Sequence, residues 1–269
     1  MKRRVAFLIS LLLAMPALAA EAFDPSGNDA LQAADIVILG EHHDNPHHHA
    51  RQAELIARVQ PKAVVWEMLT APDALLITGD LIADKAALRA ALEWDASGWP
   101  DFDLYYPVFH AARDAQHFGA EIPRAALMDV YREGASAVLP SAARFRLAEP
   151  LPESEQRERE AMQKAAHCDM LPDDQLPAMV EVQRARDASL ADASLRALET
   201  TGGPVVVIAG NGHARSDWGV PAALALVQPA LKIFALGQSE DGHILGPYDA
   251  VADSPGVERE DPCASLRTE

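Results

Sequence analysis

Short apolar runs that end in polar, glycine-containing loops alternate along this chain with longer stretches of helical spacing. Residues 34–39 (ADIVIL), 63–66 (AVVW) and 205–209 (VVVIA) read as buried strands. Residues 231–236 read as another, and 118–122 as a weaker one. Helical spacing covers 46–60, 72–77, 84–93, 103–117, 123–133, 153–166 and 221–227. A long helix is expected from Pro172 to about Leu198, broken or shifted at Pro177. Pro46 suits a first helical turn and Asp84 an N-cap. Residues 94–101, with Gly98 and Pro100, read as a loop, and 136–153 as irregular, with Pro140, Pro150 and Pro152. Strands alternating with helices predict an α/β fold: a mainly parallel sheet flanked by helices, with a helical insertion in the middle of the chain. No internal repeat divides it, so residues 21–269 are expected to form one α/β domain.

The first twenty residues stand apart from this alternation. Lys2, Arg3 and Arg4 precede an apolar run from Val5 to Met15, and Pro16-Ala17-Leu18-Ala19-Ala20 follows. That is the three-part pattern of a secretory signal peptide, with cleavage near Ala19 or Ala20. The run is too short to span about 30 Å of hydrocarbon, and no cysteine sits at the cleavage site. A periplasmic or secreted protein is therefore expected.

Composition narrows the picture further. The 269 residues include 40 acidic against 23 basic, a formal charge of −17, and removing the leader makes the chain more acidic still. Such a surface repels phosphate, which excludes a general nucleic-acid binder. A hydrophobic share of 49% excludes a largely disordered chain. Cys168 and Cys263 are the two cysteines. Their spacing is not that of a zinc finger. An oxidising compartment permits a bridge between them, which would tie the C-terminal tail to the helical middle; two unpaired thiols are the alternative.

Candidate chemistry collects where strands end, which is where open α/β sheets bind ligands. The first strand runs into Gly40-Glu41-His42-His43-Asp44, the second into Glu67, and the late one into Gly210-Asn211-Gly212-His213, with Arg215 and Asp217 beyond. Glu41, His43, Glu67 and His213 form one candidate set. Two carboxylates and two imidazoles can hold a divalent transition metal or divide general acid and base roles. Gly212 lets the backbone turn so that His213 faces the crevice. Residues 42–49 hold five of the ten histidines, a tract with affinity for metals or haem. His48 and His49 point about 100° apart on a helix, so both are not expected on one metal. There is no G-x-S-x-G, H-E-x-x-H, Walker loop or G-x-G-x-x-G.

Several stretches together resemble the ChaN-like haem-binding family of the TIKI/TraB-like superfamily. They are Leu39-Gly40-Glu41-His42-His43-Asp44-Asn45-Pro46 with His48 and His49, Trp66-Glu67, Val182-Gln183-Arg184-Ala185-Arg186-Asp187, and Gly210-Asn211-Gly212-His213-Ala214-Arg215 with the trailing Asp217-Trp218-Gly219-Val220-Pro221. Ala166-His167-Cys168-Asp169-Met170-Leu171-Pro172 also looks like the family, and Glu121 stands where a family stretch has Asn. The resemblance spans about residues 35–236. It implies a parallel-sheet fold, haem as cofactor, a link to iron uptake, and outer-membrane uptake components as partners; a homodimer is also considered. Superfamily relatives include metal-dependent peptidases and erythromycin esterases, so a metal-dependent hydrolase using Glu41, His43, Glu67 and His213 is the alternative. Haem needs an axial ligand, an apolar slot and partners for its propionates. Tyr105 and Tyr106 are candidate axial oxygens beside Trp99, Phe102 and Phe109, with His48 and His49 as rivals. Arg184 and Arg186 are candidates for the propionates.

Overall fold

The computed structural model describes residues 23–25, 28–261 and 263–264. The segment read as a signal peptide lies outside them. The strands are β1 (Ile36–Glu41), β2 (Ala63–Trp66), β3 (Gln116–Gly119), β4 (Val205–Gly210), β5 (Ile233–Glu240) and β6 (Ala250–Ser254). They form one sheet in the order β3-β2-β4-β1-β5-β6, and every pairing is parallel. The expected parallel α/β architecture is present.

Side chains alternate across the sheet and build two cores. Val37 and Leu39 of β1, Val64 and Trp66 of β2, and Val206 and Ile208 of β4 point to one face. There they meet Leu55 and Ile56 of helix Pro46–Val59 and Tyr105, Val108 and Phe109 of helix Phe102–Ala111. Ile36, Ile38, Val65, Val205 and Val207 point to the other face. They are covered by Ala188, Ala191 and Leu195 of helix Leu176–Thr201 and by Leu224 of helix Val220–Val227. Burial on both faces is why β1 and β4 read as unbroken apolar runs.

Boundaries differ from expectation where the local pattern misleads. Leu176–Thr201 is one unbroken helix, because Pro177 sits in its first turn, where no backbone N–H is needed. Helix Phe102–Ala111 stops six residues before His117, and β3 begins at Gln116 rather than 118. A short helix, Trp94–Ser97, occupies the expected loop, where Trp94 is buried and its Nε1 donates to the carbonyl of Pro100. β5 continues past Leu236 to Glu240 and pairs with β6, for which the sequence showed no apolar run. No helix among the described residues is long and apolar enough to cross a membrane.

The chain leaves β1 toward β2 along one face and leaves β4 toward β5 along the other. These opposed departures open a crevice at the carboxyl ends of the two central strands.

Candidate functional site

Glu41 is the last residue of β1 and continues the face of Val37 and Leu39. Its carboxylate is buried and fully engaged. Oε1 accepts from the Tyr105 hydroxyl at 2.7 Å and from His43 Nδ1 at 2.8 Å; Oε2 accepts from Gln52 Nε2 at 2.7 Å. His49 Nδ1 lies 3.5 Å from Oε2. Burial pushes this carboxyl up, but the His43 hydrogen bond and the neighbouring imidazoles prevail and hold it below its ordinary range. The same carboxylate pushes the Tyr105 phenol far up, after burial itself.

The loop after β1 is held by the start of the next helix. Asn45 caps helix Pro46–Val59 by accepting from the His47 N–H, and its Nδ2 donates to Glu240 and to the carbonyl of Pro255. His48 and His49 follow on the buried side of the helix. His48 Nδ1 accepts from the His42 N–H at 2.8 Å, and burial lowers its pKa to about 4. His49 Nε2 donates to the carbonyl of His43 at 2.9 Å.

Glu67 follows β2 on the opposite face. Its Oε2 accepts from the Gly210 N–H at 2.7 Å, and its Oε1 lies 3.4 Å from His213 Nε2. His213 Nδ1 donates to Asp187 Oδ1 at 2.6 Å. Asp187 comes from the long helix and was not anticipated as a site residue. Burial disfavours charge on both Glu67 and His213, yet their mutual attraction prevails, with Asp187 adding to it. Glu67 falls to about 2 and His213 rises to about 10. Burial raises Asp187 in turn.

His43 joins the two halves. Its Nδ1 is bound to Glu41, its Nε2 lies 4.0 Å from Glu67 Oε2, and its ring meets the edge of Trp99 at 5.0 Å between centroids. Its side chain is 34% exposed, whereas those of Glu41, Glu67 and His213 are nearly or fully enclosed. Burial works against a charged His43, but Glu41 and Glu67 raise its pKa. Glu41 with His43, and Glu67 with His213 and Asp187, thus form two ionisable groups that approach to 4.0 Å between His43 Nε2 and Glu67 Oε2, beyond hydrogen-bond distance.

The four strand-end residues are therefore brought together, as expected, but as hydrogen-bonded pairs. Among the described residues no group of three or more His, Cys, Asp or Glu is arranged to hold a metal ion. The divalent-metal expectation finds no ligand set because protein donors already occupy the carboxylates. Of the expected haem residues, Tyr105 and His49 meet beside Glu41 with ring centroids 4.3 Å apart, and the others lie apart from them. Tyr105 and His48 are buried with their polar atoms turned to partners inside the protein, and buried His49 bonds through Nε2 while its Nδ1, 3.5 Å from Glu41, makes no hydrogen bond. Tyr106 donates to the carbonyl of Ile82. Arg184 is tied to Glu181 at 2.6 Å and to the carbonyl of Glu149 at 3.0 Å. Arg186 instead lines a small cavity with Glu67, Trp99 and Glu121.

Comparison with known proteins agrees with this architecture. A family model described as haem-binding uptake, Tiki superfamily, ChaN, matches residues 28–224. ChaN of Campylobacter jejuni, a structure of cofacial haem binding, superposes with a TM-score of 0.64 at 20% identity, covering 82% of this chain and 87% of that one. The type III effector HopBA1 gives a TM-score of 0.45 at 14% identity over 84% and 92% of the two chains. At 20% identity the likeness to the Campylobacter jejuni structure speaks for the fold alone. No curated protein matches the sequence.

Proposed function

This chain belongs to the ChaN haem-binding uptake family of the Tiki superfamily, and from that premise we propose that it is an exported protein that binds haem in the service of haem or iron uptake. The family match over residues 28–224 is the observation that carries the reading. Export is supported by the N-terminal pattern and by the bond between Cys168 and Cys263, which suits an oxidising compartment.

A haem iron needs a donor atom with a free lone pair. Of the strand-end imidazoles, His43 fits this need. In the neutral ring Glu41 takes the Nδ1–H, and the lone pair lies on Nε2. A Cβ at Gly210 would stand 3.0 Å from that nitrogen, so the glycine keeps space beside it. The cavity beside His213 and Asp187 measures about 80 Å³ and the one beside Glu67 about 30 Å³, far below the several hundred Å³ of a cofactor pocket. A porphyrin would therefore lie over the mouth of the crevice, with Trp99 as apolar wall and Arg186 as the nearby cation. Bound there, haem would supply an iron centre and a visible absorption band; the protein supplies the donor, its orienting carboxylate and the wall. Delivery to outer-membrane uptake components and a homodimer belong to the same proposal.

Hemin titration of tag-free mature protein tests it. A saturable Soret band at one haem or fewer per chain is expected, with its position or intensity changed in His43→Ala. Tyr106→Phe is expected to leave the band in place. A featureless, nonsaturating response would refute haem binding. A normal band in His43→Ala would refute the ligand.

A further inference from the structure

Helix Glu153–Ala166 packs against helix Leu176–Thr201 and brings Arg159 up to Asp187. Both side chains are buried. Arg159 commits two of its nitrogens. Nε and Nη2 donate to Glu155 Oε1 at 2.9 and 2.6 Å, and Nη2 also reaches the carbonyl of Trp218 at 3.4 Å. The Trp218 ring covers the guanidinium, with its centroid 5.0 Å from Cζ. Nη1 is left 4.0 Å from Asp187 Oδ2, beyond hydrogen-bond distance. Asp187 commits only Oδ1, to His213 Nδ1. A donor and an acceptor thus stand side by side in the interior, and neither is hydrogen-bonded among the described residues. Buried polar atoms left unmatched are costly, and a ligand that matches both recovers that cost.

Two cavities share Arg159, Asp187 and Trp218 as walls. The smaller, about 80 Å³, also carries Gln163 and Gln183, whose side-chain amides make no hydrogen bond among the described residues. The larger, about 250 Å³, is walled by Phe145, Leu147, Leu151, Ala222 and Leu226. An apolar cavity of about 150 Å³ already takes a benzene ring. The surroundings therefore ask for an apolar body with a polar head. The head is constrained by charge: a carboxylate would face Asp187, and an ammonium would face Arg159. A neutral group that both accepts and donates meets neither conflict. A peptide bond does not serve, because it is trans and its N–H and C=O point opposite ways. A primary carboxamide carries both on one side. Its oxygen and nitrogen lie about 2.3 Å apart, close enough to reach anchors separated by 4.0 Å.

We propose that the Arg159–Asp187 pair is a binding site for a small apolar molecule that ends in a primary carboxamide. The carboxamide oxygen accepts from Arg159 Nη1, its N–H donates to Asp187 Oδ2, and the body lies in the larger cavity against Phe145 and Leu147. This inference goes beyond haem binding and does not rest on it.

Fluorine NMR titration of the full mature chain, free of hemin, tests it. The probe is 4-fluorobenzamide, with 4-fluorobenzoate and 4-fluorobenzylamine as charged controls of the same shape. The amide is expected to bind saturably at one site with a Kd of about 1 mM, within reach of a ligand of about ten heavy atoms. Each control is expected to bind at least about tenfold more weakly, because it buries a charge against a like one. Arg159→Gln is expected to weaken the amide about tenfold by removing its donor. Ala222→Phe fills the larger cavity from a half-buried helix position and is expected to weaken it as much. Thermal melts followed by circular dichroism verify that both variants fold; should Arg159→Gln fail to fold, Ala222→Phe decides. A nonsaturating response to 4-fluorobenzamide overturns the site. A charged control that binds as tightly overturns the ligand class. An unchanged Kd in the folded variants overturns the location.

Discussion

Glu41 shows how much one buried side chain can organise. Tyr105, Gln52 and His43 all direct a hydrogen at it, so its loss strands several donors at once. Glu41→Ala is expected to cost about 3–5 kcal/mol, the range for removing one partner of a buried charged cluster. Tyr105→Phe removes a single hydrogen bond to a charged group and is expected to cost about 1.5–3 kcal/mol. Urea denaturation with unchanged m-values checks both, and equal losses would contradict the hierarchy. Glu41, His43, Glu67 and His213 were legible in the sequence because each ends a strand or its following turn. Gln52 left a weaker signal, a polar residue on the buried side of a helix with Leu55 and Ile56. Asp187 left only its place at the end of the family-like stretch Val182–Asp187: it lies mid-helix, and the fold brings it to His213.

At the scale of elements, close approach is as decisive as burial. A Cβ on Gly119 would stand 2.0 Å from the backbone oxygen of Thr70, where the chain crosses the free side of β3. Backbone cannot swing aside as a side chain can. Gly119→Ala is therefore expected to cost about 1–3 kcal/mol, as overpacking does, and a thermal midpoint within a degree of wild type would refute this. The strands read most clearly in the sequence were those buried on both faces, β1, β2 and β4, while β5 was read over its first half and β3 only weakly. β6 escaped notice because it is an edge strand. Ala252 and Ser254 turn inward while Val251 is exposed, so no apolar run forms. The far half of β5 hid for another reason. Gln238 is polar yet fully buried, and its amide donates to the carbonyl of Gly40 at 2.6 Å, stitching β5 to the end of β1.

Across the whole molecule, buried imidazoles of opposite behaviour shape the pH response. Burial pushes His48 and His117 down to about 4 from an ordinary value near 6.5. The unfolded chain takes protons that the folded one refuses, so their contribution is lost as pH falls from 6.5 toward 4. Glu67, held near 2, adds a loss further into acid, below the ordinary carboxylate range. His213, raised to about 10 by Glu67 and Asp187 against the cost of burial, contributes fully below 6.5 and loses its share as pH rises through 10. Stability is expected to peak near pH 6.5 and fall on both sides. Urea midpoints that rise steadily from about pH 4.5 to about pH 9 would refute this balance. The strand order carries a different consequence, one of timing. β1 is the first strand to be synthesised, yet its neighbours are β4 and β5, which place Val205 and Ile233 beside Ile36. Such non-local pairing raises contact order and slows folding. A nascent chain that ends before Val205 has no partner for its central strand, so the protein finishes folding only when nearly all of it has left the ribosome.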